Sequence, residues 1–320
     1  SQLSIFSELN NLRNISMEEE YAAVCGITTD EVLSQMHDYI EQMAIKSKKS
    51  HDEVFAALKR QYDGYHFTWP SPDVFNPFSL MLAFGKNKIG SYWFESGTPT
   101  FLIEKFKEFN VLPSMLKPTT AVASAFDAPT ESMTSIIPLL YQAGYFTIKD
   151  YNEIGDIYKL DIPNNEIRIG LMESLLPNYI RIDSYKGTTT VAEMYIALHN
   201  DDLNEMMRLL QAYLLTIPQC DNTDYEGHYQ QLLYVIFSLM GRYVDVEVRT
   251  ATGRVDMVMN SGKAIYLFEL KLNKSAEAAI DQINLKDYSS RFALSGLPIT
   301  KIGINFSTES HTIEDWKIER

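Results

Sequence analysis

The chain has 320 residues, 45% of them apolar, and a formal net charge of −14. That content allows two domains with a core each, and the acidic excess by itself opposes the phosphate backbone of a nucleic acid. No apolar run approaches the ~18 residues a membrane span needs. The start, SQLSIFSELNNLRN, lacks the basic and apolar regions of a signal peptide.

Cys25 and Cys220 are the only cysteines. Two thiols in so long a chain imply a reducing, cytoplasmic setting, with no disulfide framework and no zinc ligand set. The opening residues read like the inside of a domain, so a fragment of a longer protein is expected. Charge is unevenly placed. From Glu226 onward there are 11 Lys/Arg against 12 Asp/Glu, whereas residues 1–225 hold 17 against 30. The near-neutral C-terminal part and the acidic remainder read as different modules.

In chain order, Leu3–Phe6 reads as a strand. Met17–Cys25 reads as a short helix with Ser16 as its cap and Glu18, Glu19 and Glu20 in its first turn. Thr29 is expected to cap a helix running from Asp30 to about Lys46, with Val32, Met36, Tyr39, Ile40 and Met43 on one face, and His51–Tyr62 is the next helix. The aromatic stretch from Tyr62 to His66 is a loop, and Asn76-Pro77 opens a helix. Tyr62, Asp63, Tyr65 and His66 could make a ligand or interdomain contact, but a packed aromatic turn is the simpler reading. His66 has no second histidine at metal-ligand spacing. Thr98 is expected to cap a helix from Pro99.

Residues 117–135 are polar and turn-rich, as in a linker. Ile136–Gly144 reads as a helix, Tyr145–Lys149 and Ile157–Leu160 as a hairpin, and Glu166–Tyr179 as a helix. A helical pair follows, Val191–Asn200 and Leu203–Leu215, then an amphipathic helix containing Glu226 and ending at Gly241. Asp245–Thr250 is a strand, Ser275–Leu285 a helix and Ile299–Asn305 a final strand. The sum is an α/β arrangement, α+β overall, with a mixed sheet.

The most informative stretch lies inside that last part. Val255–Met259 and Ala264–Leu272 are apolar runs joined by Asn-Ser-Gly-Lys, the pattern of a β-hairpin. Asp256 and Glu269 interrupt them, and carboxylates are rarely buried without a partner. Alternation puts Glu269 and Lys271 on one face of the second strand, with Phe268, Leu270 and Leu272 on the other. A hairpin turning at residues 260–263 brings Asp256 close to Glu269. Two close carboxylates repel, which suggests a divalent cation between them. A salt-bridged trio of Asp256, Lys271 and Glu269 that only ties the sheet together is the competing reading.

Asp256, twelve intervening residues, then Glu269-Leu270-Lys271 resembles the D…ExK core of the PD-(D/E)XK nuclease superfamily. The chain is similar, more narrowly, to bacterial AAA-ATPase-like proteins that end in such a domain. Ala279-Ile280-Asp281-Gln282-Ile283 resembles that family's A-x-x-Q-I helix, Lys286-Asp287-Tyr288 its K-x-Y, and Glu226 its helical glutamate. Further pieces, LNNLRNIS, YAAVCGIT, TDEVLSQMHDYI, Y-D-G-Y, N-P-F-S, GYFTI and IPNNEIR, resemble the end of its ATPase-like part and the region after it.

The resemblance implies three regions. Residues 1–116 would be the helical remnant of the ATPase-like domain. Residues 117–185 would be a small α/β connecting region, helix, hairpin and helix. Residues 186–320 would be a helical lead-in and a restriction-endonuclease-like domain, its mixed sheet flanked by helices. No G-x-x-x-x-G-K-[ST] loop occurs, so no ATP site is expected in this chain, and the ATPase core would precede Ser1.

It also implies a Mg²⁺-dependent (or Mn²⁺-dependent) phosphodiesterase acting on nucleic acid, with DNA the expected substrate. Asp256 and Glu269, with the carbonyl of Leu270, would hold the metal. Glu226 would complete the outer sphere or bind a second ion, and Lys271 would orient water. Gln282, Tyr288, Arg254 and Lys286 would contact the nucleic acid. The alternatives are a non-catalytic nuclease-fold interaction module and a regulator of an ATPase-driven assembly.

Overall fold

The computed structural model describes residues 15–96, 100–126, 135–178, 184–216, 225–241, 245–251, 254–286 and 288–320. Two compact units divide the chain, Ser1–Gly170 and Leu171–Arg320. The expected strand Leu3–Phe6 and the expected cap Thr98 lie outside the described residues.

In the first unit the expected helix at Met17–Cys25 is only a single 3-10 turn, Glu19–Tyr21. Glu18 stands at its cap position and makes no side-chain cap hydrogen bond. So short a segment cannot offset the cost of helix nucleation. A two-stranded ribbon pairs β1 (Ile27–Thr28) with β2 (Val74–Phe75). The long helix expected from Asp30 is two helices, α1 (Thr29–Gln35) and α2 (His37–Ser47). Thr28 is the cap, in a reciprocal capping box with Glu31. The break falls at Met36, after Ser34 has turned its hydroxyl onto the carbonyl of Asp30 at 2.6 Å, a side-chain bond that bends helices.

α3 (His51–Tyr62) starts at a second capping box, Ser50 with Glu53, and α4 (Pro77–Lys86) at Asn76, whose Oδ1 accepts from the N–H groups of Phe78 and Ser79. Val32, Ile40, Leu58, Tyr62, Phe75, Leu80 and Phe84 form the core they enclose.

After α5 (Thr100–Glu108) comes a three-stranded antiparallel sheet in the order β3 (Thr119–Ala121), β5 (Ile157–Asp161), β4 (Thr147–Asn152). Thr119–Ala121, read from sequence as part of a polar linker, is its edge strand. Short polar strands are found at such edges because they discourage further pairing. Between β3 and β4 lie α6 (Ala123–Phe126) and α7 (Ile137–Gln142), and α8 (Asn165–Leu175) follows the sheet.

The second unit carries α9 (Ser184–His199), α10 (Leu203–Leu215) and α11 (Tyr225–Met240) before a five-stranded sheet. Its strands are β6 (Asp245–Ala251), β7 (Arg254–Asn260), β8 (Ile265–Leu272), β9 (Ile299–Ser307) and β10 (Thr312–Glu319), in the spatial order β10-β9-β8-β7-β6. Every pair is antiparallel except β8 with β9. The parallel pair needs a crossover, and α12 (Ala276–Leu285) supplies it. The sheet is therefore mixed, and the fold is α+β. Strand β10 lies beyond the last strand expected from the sequence. That edge strand carries Glu314, Asp315, Lys317 and Glu319, and a bulge between Ile313 and Asp315 breaks its alternation.

Strand β8 is buried at seven of its eight positions. This is expected of a central strand covered on both faces. On one face Phe268 meets Phe237 of α11, ring centroids 6.3 Å apart. On the other, Ile265 and Leu267 pack with Ile280 and Ile283 of α12.

Candidate functional site

The turn between β7 and β8 is closed by side chains. Asn260 Oδ1 accepts from Gly262 N–H at 2.8 Å and Ser261 Oγ from Ala264 N–H at 3.1 Å. This fixes the register, which pairs Asp256 directly with Glu269. Directly paired positions share a face of a sheet. Lys271 lies two residues on, on the same face as Glu269.

Both charged groups are in the interior, Glu269 at 1% exposure and Lys271 at 5%. The Lys271 ammonium donates to Glu269 Oε1 at 2.9 Å and to Gln282 Oε1. Gln282 is carried by α12, whose cap is Ser275 and whose apolar stripe is Ala276, Ala279, Ile280 and Ile283. Gln282 lies three residues beyond Ala279, one turn along the helix. Its Nε2 is buried and has no hydrogen-bond partner among the described residues.

Two residues that the sequence reading passed over hold this arrangement. Gly303 of β9 is in register with Glu269. A Cβ there would stand 2.4 Å from the carbonyl oxygen of Ala276 and 3.0 Å from Ala279 Cβ. The missing side chain lets α12 lie close on the sheet and so brings Gln282 to Lys271. Asn305, in register with Lys271, accepts from Lys274 N–H at 2.9 Å and donates to Glu314 Oε2 at 3.2 Å. It ties the end of β8 to β10. A glycine and an asparagine inside the run Ile302–Phe306 are the sequence signal for a close approach and a buried polar contact.

Of the other expected site residues, Leu270 is buried on the reverse face of β8. Lys286 is the C-cap of α12 and exposed. Glu226 is on α11, Arg254 begins β7 and Tyr288 begins a 3-10 helix, Tyr288–Ser295. The side chains of Asp256, Glu226, Arg254 and Tyr288 lie outside the described residues.

In the first unit, the aromatic turn at Tyr62–His66 is packed and internally bonded. Tyr62 Oη donates to Gly90 O at 2.9 Å, and the His66 ring stands between Ser71 Oγ at 2.9 Å and Asp73 Oδ1 at 2.7 Å. Gly64 has φ +99°, and a Cβ there would stand 2.4 Å from Pro163 O, so glycine is required on both counts. The hydrogen bond from His66 holds the Asp73 carboxyl below its usual range. Burial pushes the Asp63 carboxyl up and the neighbouring Lys149 ammonium down.

No described helix is long and apolar enough to cross a membrane. The full length of the chain aligns with a protein of Azotobacter chroococcum mcd 1 described as "Uncharacterized protein in vnfD 5'region", 33% identical over 331 residues. The chain spans 61% of that relative's length. Residues 224–316 match the PD-(D/E)XK nuclease superfamily. The matched segment contains the hairpin of Asp256 and Glu269, Lys271, α12 with Gln282, and the strand of Gly303. The C-terminal part of this chain is therefore a PD-(D/E)XK nuclease superfamily domain.

Proposed function

We propose that this domain hydrolyses phosphodiester bonds of nucleic acid, DNA in the first instance, with Mg²⁺ or Mn²⁺, and that it works with an ATPase-like region elsewhere in the full-length protein. The observation that carries the reading is the buried Glu269–Lys271–Gln282 linkage beside the Asp256–Glu269 register pair. The donors suit a hard cation, because the pair offers carboxylate oxygens and the strand a backbone carbonyl. Asp256 and Glu269 would hold the ion with the carbonyl of Leu270, and Glu226 would serve the outer sphere or a second ion. A bound divalent ion supplies an activated water at neutral pH and offsets phosphate charge.

The chain's own residues do the rest. Lys271 orients the attacking water and stabilises charge developing on the phosphate. Gln282 holds the Lys271 ammonium through its carbonyl oxygen. Its buried Nε2, unpartnered among the described residues, leaves a donor for a phosphate oxygen. Tyr288, Arg254 and Lys286 would position the backbone of the scissile strand.

The competing reading is a non-catalytic module or regulator in which the trio is structural. The Lys271–Glu269 ion pair favours it, since each of the two buried charges meets an opposite charge at 2.9 Å. Cleavage assays on single-stranded DNA, duplex DNA and RNA, with Mg²⁺, Mn²⁺ or chelator, separate the two. The parent is expected to cleave only with metal, and Lys271→Met, which keeps the stem but removes the charge, is expected to be inactive. A Lys271→Met protein that cleaves as fast as the parent rules out the assigned role. Binding is expected to be weak and steeply salt-dependent, because the acidic residues 1–225 oppose the phosphate backbone.

A further inference from the structure

We propose that His37, Glu41 and His51 form a binding site for one divalent transition-metal ion of the zinc class, which staples α2 to α3. One ligand atom from each residue lies within 4.8 Å of the others. His37 and Glu41 are four residues apart on α2, so they share a face one turn apart. His51 is the first residue of α3, held there by the capping box of Ser50 with Glu53.

Three observations point to a metal rather than to a chance cluster. First, the His37 and His51 rings are 4.7 Å apart between centroids. Two imidazoles on one tetrahedral ion, with bonds of ~2.1 Å, have centroids roughly 5 Å apart. Closing the ligand atoms to the ~3.4 Å edge of such a tetrahedron takes a shift of about an ångström, within the reach of the exposed His37 and the long Glu41 side chain. Second, His51 Nε2 is buried and has no hydrogen-bond partner among the described residues. A buried imidazole nitrogen left unbonded is costly, and a cation or donor is what it lacks. Third, the other ring nitrogen, Nδ1, faces Asp52 Oδ1 at 3.5 Å. Carboxylates commonly take up this place behind a metal-bound histidine, where they fix the tautomer and ring orientation.

Charge is consistent with this. The positive ends of α2 and α3 would repel a cation. Asp38 in the first turn of α2, and Asp52 and Glu53 in that of α3, offset them. Two imidazoles and one carboxylate select zinc-class ions over Mg²⁺ or Ca²⁺, which prefer oxygen alone. Three protein ligands leave a fourth coordination position for water.

The test uses the full chain in excess Mg²⁺, which competes for oxygen-only sites, and in the Asp256→Asn background as a control for the other site. Zn²⁺ is titrated against a chromophoric chelator, and Co²⁺ reports geometry through its visible absorption. The expected result is one Zn²⁺ per chain, a tetrahedral Co²⁺ spectrum, and a zinc-induced rise in the melting midpoint of the first unit. His37→Ala, Glu41→Gln and His51→Gln are each expected to weaken zinc at least ~100-fold, since even outer-sphere partners are worth 10- to 100-fold. His37 is exposed, so His37→Ala is expected to keep the fold even if His51→Gln does not, with the metal-free melting midpoint as the check. No zinc held against the chelator, or full stoichiometry and unchanged affinity in His37→Ala, overturns the site.

Discussion

A Cβ on Gly303 would stand 2.4 Å from the carbonyl oxygen of Ala276. The obstacle is backbone, so nothing short of moving α12 relieves it. Gly303→Ala is expected to lower the melting midpoint by the equivalent of ~1–3 kcal/mol, the usual range for overpacking. It also lifts Gln282 away from Lys271. The first effect reads out in thermal melts, the second in faster amide exchange over α12. An unchanged midpoint would show that α12 is not held by this contact.

Lys271 and Glu269 are paired deep in the unit, at 5% and 1% exposure. Removing one partner of a buried pair leaves the other charge uncompensated, at a cost of about 3–5 kcal/mol. Lys271→Met is therefore expected to melt well below the parent, and its activity has to be compared at temperatures below its own midpoint. Glu269→Gln with Lys271→Met removes both charges and should recover more than half of the loss. A double-mutant cycle measures that coupling. Additive losses would mean that packing, not charge, dominates.

The hairpin of Asp256 and Glu269 was legible because three signals agreed: alternation in each run, the Asn-Ser-Gly turn, and carboxylates misplaced among apolar residues. Gln282 was singled out by the resemblance of Ala279–Ile283 to the A-x-x-Q-I helix, since helical spacing alone leaves it equally open to a solvated or helix-packing role. What escaped depends on contacts between elements. Nothing local to Gly303 says which helix lies over it. The break at Met36 interrupts an apolar stripe that continues through it, from Val32 to Ile40. Strand β10 escaped because an edge strand needs only one good face, and its bulge blurs the alternation. His37 and His51 sit on separate helices, so no local spacing in the sequence joins them.

Asp63 gives a pH-dependent prediction in the first unit. Its side chain is 2% exposed, with Lys59 at 3.6 Å as its ion-pair partner. Burial raises its carboxyl pKa above the unfolded value. A group raised on folding contributes stability below its unfolded pKa, near 3.9, and loses it as pH rises through the folded pKa. At neutral pH the buried charge is a burden. Asp63→Asn should melt higher than the parent at pH 7, with the advantage shrinking as pH falls toward about 4. Lys149 opposes little, since Asp73 and Asp161 act on it more strongly than Asp63 does. Melts of both proteins across that range check this, and an advantage that grows on acidification contradicts it.

The assignment of Asp256 and Glu269 as metal ligands predicts a pattern of melts that needs no substrate. Two carboxylate positions are paired across β7 and β8, with Lys271 bonded to one of them. If a cation belongs there, the metal-free protein carries repulsion that Asp256→Asn relieves. The metal-free variant should then be as stable as the parent or more so. A metal bound only by the folded state stabilises the parent by RT ln(1 + [L]/Kd), about 2.7 kcal/mol at a hundredfold excess over Kd. Asp256→Asn should lose most of that rise. Mg²⁺ is the probe to use, because it discriminates against the histidine-containing site on α2 and α3. With two units in the chain, midpoints are compared rather than absolute free energies. A purely structural trio predicts the reverse: Asp256→Asn destabilises the metal-free protein, and Mg²⁺ moves neither midpoint. That result would remove the metal ligands from the site and leave a nuclease fold used for binding alone.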